Sequence, residues 1–238
     1  MKHTISRYIS GLLLCTASSL LFAAPASQIQ ASYDVIGYGM TLANITETYT
    51  RKEDSYQIES VTKAVGFLAR IKPETVRVTS QGKVTPQGLV PLSFSMTREH
   101  DTDKNASAKF NWEKTILTHN DYKGIIDMPL PPGTQDKLSL LYHLPLLAKS
   151  DKVEFKFNIS DGNNLEVYNF TVAPDEQNMR VPLDTFKTRF ISSTPVGDQM
   201  KYEIWLATER NDVPCKIVVT DSKGSKLTQV LTQLTITP

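Results

Sequence analysis

The chain has 238 residues, with 26 Lys and Arg against 25 Asp and Glu, and 40% hydrophobic residues. Near-neutral charge excludes the basic surplus that a nucleic-acid binder carries. No stretch approaches the roughly 20 apolar residues of a membrane-spanning helix, so one globular domain is expected.

The N-terminus reads as a cleavable secretory signal over residues 1–26. A positive start at Lys2 and Arg7 leads into an apolar run from Ile9 to Phe22, then small residues at Ala23, Ala24, Ala26 and Ser27. The small-x-small site Ala24-Pro25-Ala26 places the cut after Ala26. Of the 26 basic residues, Lys2 and Arg7 are lost, leaving 24 against 25 acidic ones and a net charge of −1. Cys15 sits within the apolar signal core, preceded by Leu14 where a lipoprotein signal has a small residue. Cys215 is then the single remaining thiol, without an internal disulfide partner, and is read as structural. A periplasmic protein free of any anchor is expected.

From there the dominant period is two. Residues 56–61 and 75–79 alternate loosely; Leu92, Phe94 and Met96 alternate with Ser93, Ser95 and Thr97; Ala106, Ala108, Phe110 and Trp112 alternate with polar residues. Between the first two lies 65–71, Val-Gly-Phe-Leu-Ala-Arg-Ile, a two-sided strand or a flap over a ligand. His100-Asp101-Thr102-Asp103 gathers three potential metal ligands, yet between two strands it reads better as a hairpin tip. The period breaks once. Gly133-Thr134-Gln135-Asp136 precedes a Leu138, Leu141, Tyr142 stripe that stops before Pro145. That predicts one short helix near 134–143, with Thr134 as N-cap and Asp136 against the positive end of the helix dipole. Ser139 is read as a helix-surface serine. Alternation resumes at 153–159 and continues through 165–172, 186–190, 202–206, 217–219 and 230–236, with turn residues such as Asp161-Gly162-Asn163-Asn164 and Ser222-Lys223-Gly224 between. The expected fold is all-β and mainly antiparallel, a curved sheet forming a barrel or half-barrel, in a single domain over 27–238. The sequons at Asn44, Asn105, Asn158 and Asn169 are read as chance.

Catalytic machinery is sparse. His100, His119 and His143 stand at no metal-ligand spacing, and no nucleophile elbow, phosphate loop or dinucleotide fingerprint is present. Neither an enzyme nor a cofactor is expected.

Five segments in order resemble the bacterial family of domain of unknown function 3108. They are Gly88-Leu89-Val90-Pro91-Leu92-Ser93-Phe94, Phe110-Asn111-Trp112, 133–136 with 138–142, 181–188, and Trp205-Leu206-Ala207 followed by Pro214-Cys215-Lys216-Ile217. Asn111 stands where the family more often has Asp, and Asp184 where it often has Gly. The resemblance implies an exported β-protein with a lipocalin-like or lipoprotein-carrier-like barrel, and it implies no activity.

Two functions follow as expectations. The first is a non-catalytic periplasmic module for an apolar or lipid-like ligand. Its ligand-binding residues would be Phe67, Leu68 and Ile71, Leu138, Leu141 and Tyr142 of the helix, and Trp205, converging on one side of the sheet. Core packing is the plainer reading of each. The alternative is an envelope structural or assembly factor that works through protein–protein contacts at a sheet edge or groove.

Overall fold

The computed structural model describes residues 26–148 and 153–238; the expected signal segment, up to residue 25, lies outside them. Strands β1 (Gln28–Gly37), β2 (Met40–Lys52) and β3 (Ser55–Ala64) lead into helix α1 (Gly66–Ile71). Next come β4 (Thr75–Thr85), β5 (Gly88–Arg98), a single 3-10 turn at Thr102–Lys104, β6 (Ala106–Asn111), β7 (Ile116–Asp121) and β8 (Gly124–Pro129). The two-residue strand β9 (Gln135–Asp136) opens helix α2 (Lys137–Ala148). The remainder is β10 (Glu154–Ser160), β11 (Leu165–Arg180), β12 (Thr185–Thr194), β13 (Lys201–Ala207), β14 (Val213–Thr220) and β15 (Lys226–Thr237).

All fifteen strands form one sheet, in the order 8-7-6-5-4-3-2-1-15-14-13-12-11-10-9. Every pairing is antiparallel except β9 on β10. The chain therefore lays down two meanders, joined where β1 pairs with β15, with Gln28 opposite Thr237. The alternation read from the sequence sets the two faces: Tyr49, Tyr56, Ile58, Phe94, Phe170 and Ile204 are buried, while their neighbours along each strand face outward. Bulges curl the sheet. One falls between Gln81 and Gly82, where a Cβ on Gly82 would run into the Val90 carbonyl and the Tyr56 ring.

The curl brings the two flanks face to face. Gln135 Nε2 donates to the Leu89 carbonyl of β5 at 2.9 Å, and His119 Nε2 of β7 lies 2.8 Å from Ser160 Oγ of β10. Leu165 of β11 packs against the Phe94, Phe110 and Leu117 cluster of β5–β7. Helix α2 lies inside. Leu138 packs with Tyr49, Tyr56, Ile58 and Leu89, whereas Leu140 and Leu144 pack with Phe170, Ile191, Ile204 and Leu206. A helix apolar on several faces belongs in an interior.

Three expectations need correction. The helix starts at Lys137, so Asp136 rather than Thr134 caps it, and it runs through Pro145 to Ala148; burial of Leu144 in the core overrides the local preference of proline. Ser139 is fully buried, not on the surface. Residues 66–71 form a short helix that buries none of its residues, neither a two-sided strand nor a flap.

Candidate functional site

Two buried polar centres fix α2 within the curled sheet. At its start, Asp136 Oδ1 accepts the N–H groups of Leu138 (2.9 Å) and Ser139 (2.8 Å), satisfying two of the donors that a helix N-terminus leaves open. Asp136 Oδ2 accepts the Ser80 hydroxyl at 2.6 Å, and Tyr56 Oη stands 3.1 Å from Ser80 Oγ. The Asp136 N–H donates to Ser139 Oγ at 2.9 Å. Burial pushes the Asp136 carboxyl up to about 6, against these hydrogen bonds, which pull it down. Asp136, Ser80 and Ser139 are all shut off from solvent. Both carboxylate oxygens are occupied, and the arrangement holds the helix end.

One turn and a half further on, Tyr142 Oη donates to Glu47 Oε1 at 2.9 Å, and the Tyr142 ring stacks on Tyr49 with centroids 4.7 Å apart. Glu47 points inward from β2 in the phase of Tyr49 and is buried, so its carboxyl is raised above the usual range by desolvation, offset in part by Tyr142 and Ser60. The phenol of Tyr142 is likewise pushed well up, first by burial and then by Glu47.

The other flank of α2 does not fill the space it faces. A cavity of about 160 Å³ remains between Leu140 and Leu141 of the helix and Phe170, Ile204, Ile217 and Val219 of the sheet, with Tyr168 and Tyr202 also in its lining. The two tyrosine rings meet edge-on at 5.6 Å. It adjoins a polar antechamber of about 240 Å³, which shares Lys137, Ile159, Tyr168 and Tyr202 and adds Asp161, Glu166, Asp198 and Gln199. Lys137 and Asp161 pair there at 3.2 Å. Larger depressions of about 330 and 370 Å³ lie elsewhere. Their walls are mainly Ser, Thr, Asn, Asp, Gln and Lys. An apolar chamber behind a polar mouth accepts the end of an amphiphile. At about 160 Å³ it matches an engineered apolar cavity that takes benzene rather than a drug-sized site.

The residues expected to converge are only partly brought together. Leu138, Leu141 and Tyr142 share α2, but Leu138 and Tyr142 face the β1–β5 side while Leu141 packs on the β10–β14 side and lines the cavity. Phe67 and Ile71 are exposed and Leu68 half-buried on α1, which docks on β2 away from the cavity lining. Trp205 pairs with Phe190, and Ile204 with Ile191; since Ile191 and Ile204 are interior, Trp205 takes the opposite face. Its ring lies 4.8 Å from Phe190 and beneath Lys216 Nζ. The expected convergence is thereby corrected: period two sends Trp205 outward. Tyr168, Phe170, Tyr202, Ile217 and Val219 were missed as lining, although all lie on strands the alternation had located. Glu47 carried a usable signal, an acid in the apolar phase of a strand.

Among the described residues, no three His, Cys, Asp or Glu side chains stand together in a way that could hold a metal ion. At the 100–103 tip, Glu74 accepts the N–H groups of Glu99, His100 and Asp101, and Asp101 pairs with Lys72 and Lys104. No described helix is long and apolar enough to cross a membrane.

A single, mainly antiparallel sheet curled around an interior helix defines a barrel-like β-protein. A solved structure of this class, the β-barrel-like protein of domain of unknown function DUF1849 from Brucella abortus, superposes with a TM-score of 0.57 over 90% of this chain and 99% of that one. At 11% identity the likeness is one of fold. The chain itself belongs to the family described as "Protein of unknown function (DUF3108)", whose model matches residues 28–232. No curated protein matches it.

Proposed function

We propose that this is an exported, non-catalytic binding module of the bacterial periplasm that takes the apolar end of a lipid-like ligand between α2 and β10–β14. The observation that carries the reading is the unfilled apolar chamber of about 160 Å³ with its polar antechamber. Protein interiors are close-packed, so an apolar void lined by four aromatic and aliphatic strands is an expensive feature without an occupant. The neutral probe N-phenylnaphthylamine tests it. One equivalent should bind with enhanced fluorescence, and Val219→Trp, which fills the chamber from β14, should abolish binding without lowering the melting temperature. Absence of probe binding, or binding indifferent to the substitution, would overturn the proposal. Export is tested separately, by N-terminal sequencing that should begin at Ser27.

A second reading, an assembly factor of the envelope, is favoured by β8. Among the described residues this edge strand pairs with β7 alone, and it exposes Ile125 and Ile126. An open apolar edge is a template for strand addition by a partner. Ile125→Lys with Ile126→Lys should leave folding and probe binding intact. Loss of the protein's cellular role in that variant would make the edge the working surface.

A further inference from the structure

The antechamber in front of the apolar chamber is acidic. Three carboxylates line it, Asp161, Glu166 and Asp198, against one cation, Lys137. Glu166 stands on β11 in the phase of Tyr168 and Phe170, and it pairs with Ile159, which lines both spaces. Asp198 belongs to the loop between β12 and β13. Gln199 pins that loop to β11: its Nε2 donates to the Val167 carbonyl at 3.0 Å, and its Oε1 accepts the Val196 N–H at 3.1 Å. The sheet thus holds both carboxylates at one opening.

The one cation is already engaged. Lys137 Nζ pairs with Asp161 Oδ2 at 3.2 Å, while Asp161 Oδ1 accepts the N–H groups of Asn163 and Asn164. Among the described residues neither Glu166 nor Asp198 has a basic partner. Glu166 Oε2 accepts the Tyr168 hydroxyl at 3.0 Å, which leaves Oε1 open. The surroundings do not reverse this balance. Lys201 is paired with Glu203 at 2.9 Å. The β14–β15 turn, reached through the pairing of Lys201 with Thr220, brings Lys223 and Lys226 against Asp221, and the acids stay in excess. His119, within reach of the Asp161 charge, is held below its usual range by burial and adds no positive charge at neutral pH.

We propose, resting on the chamber reading above, that the head of the amphiphile is cationic: an alkylammonium whose nitrogen sits at Glu166 and Asp198 while its chain enters the chamber. Tyr168 and Tyr202 line both spaces, with ring centroids 5.6 Å apart. Aromatic walls of this kind attract a ligand cation. A carboxylate or phosphate head in the same place would meet two carboxylates and find the lysine taken, with like charges close together and partly desolvated. The chamber of about 160 Å³ accepts about six carbons of the chain, by comparison with the apolar cavity that takes benzene.

Displacement of N-phenylnaphthylamine by octylammonium, octanol and octanoate tests the charge of the head at constant chain length. At neutral pH and low salt, octylammonium should displace the probe at a concentration at least about tenfold below octanoate, with octanol between them, and the gap should narrow as salt is raised. Glu166→Gln with Asp198→Asn should bring octylammonium and octanoate within about threefold of each other. Glutamine at 166 still accepts the Tyr168 hydroxyl. Lys137→Gln, which releases Asp161, should widen the gap instead. A general loss of folding cannot produce these opposite changes. Octanoate that displaces the probe as well as octylammonium overturns the inference and leaves the chamber reading standing. So does a bound probe that none of the three displaces, a Glu166→Gln/Asp198→Asn variant that keeps the full gap, or a Lys137→Gln variant that narrows it. Failure of the probe to bind at all overturns the chamber reading and this inference together.

Discussion

Asp136 meets two opposing demands, and its pH behaviour follows from them. As an acceptor it satisfies two helix N–H groups and the Ser80 hydroxyl; as a charge it is buried without a cation, which raises its carboxyl to about 6. In the unfolded chain the group titrates near 3.9. Below that both states are protonated and nothing is lost. Between about 4 and 6 the unfolded chain ionises while the fold stays protonated, so stability falls as pH rises, by about 3 kcal/mol in total for this group. Asp136→Asn keeps the Oδ1 acceptor and removes the titration. Its stability relative to wild type should therefore rise by about that amount between pH 4 and pH 7 in urea titrations; a constant difference would contradict the assignment. Asp136→Ala removes the acceptor as well and should cost about 1–3 kcal/mol. Cys215 is simpler. Completely buried, with its thiol pushed up to about 12 by desolvation, it should resist iodoacetamide in the native state and react only on unfolding. Both departures from the family pattern make the hydrogen bonds that their turns need. Asn111 Oδ1 accepts the Lys114 N–H at 2.9 Å, and Asp184 Oδ1 the Thr185 N–H at 2.7 Å.

At the scale of elements, legibility in the sequence tracked period. The strands at 106–111 and 153–159 were plain because alternation is a local property that burial on one face preserves. Helix α2 was plain from Leu138, Leu141 and Tyr142, yet Leu140 and Leu144 on its other faces were not weighed, and they mark it as interior. Helix α1 was misread because six residues are too few to show a 3.6 period, and its Phe and Leu suggested burial that tertiary structure does not supply. The two helices should answer mutation oppositely. Leu144→Ala, at a side chain with no exposed surface, should cost about 2–5 kcal/mol. Phe67→Ala should fall within about 0.5 kcal/mol of wild type, and matched thermal melts would check both. The cavity was not legible at all: its lining residues are ordinary inward-facing strand positions, and what makes them a chamber is how far α2 stands from them.

At the scale of the molecule, the sequence shows hairpins but not the seam. Each meander is built from neighbours in sequence, whereas the β1–β15 pairing joins residues 28 and 237 and depends on the whole curl. Helix α2 makes the second link, since Leu138 packs with the β1–β5 half and Leu140 and Leu144 with the β10–β14 half. The halves should therefore unfold as one unit although each is locally connected. The chain has two tryptophans, and they report the halves separately. Trp112 sits at the end of β6 with its Nε1 donating to the Pro91 carbonyl at 2.7 Å; Trp205 lies on β13. Single-tryptophan variants, Trp205→Phe to watch the first meander and Trp112→Phe to watch the second, should each show one fluorescence transition in urea. Adding Leu144→Ala should lower the stability seen by both probes by the same about 2–5 kcal/mol, although Leu144 belongs to the second half's core cluster. A two-step curve, or a loss reported by one tryptophan alone, would mean that the helix and the seam do not couple the meanders, and that the barrel is two sheets sharing an edge.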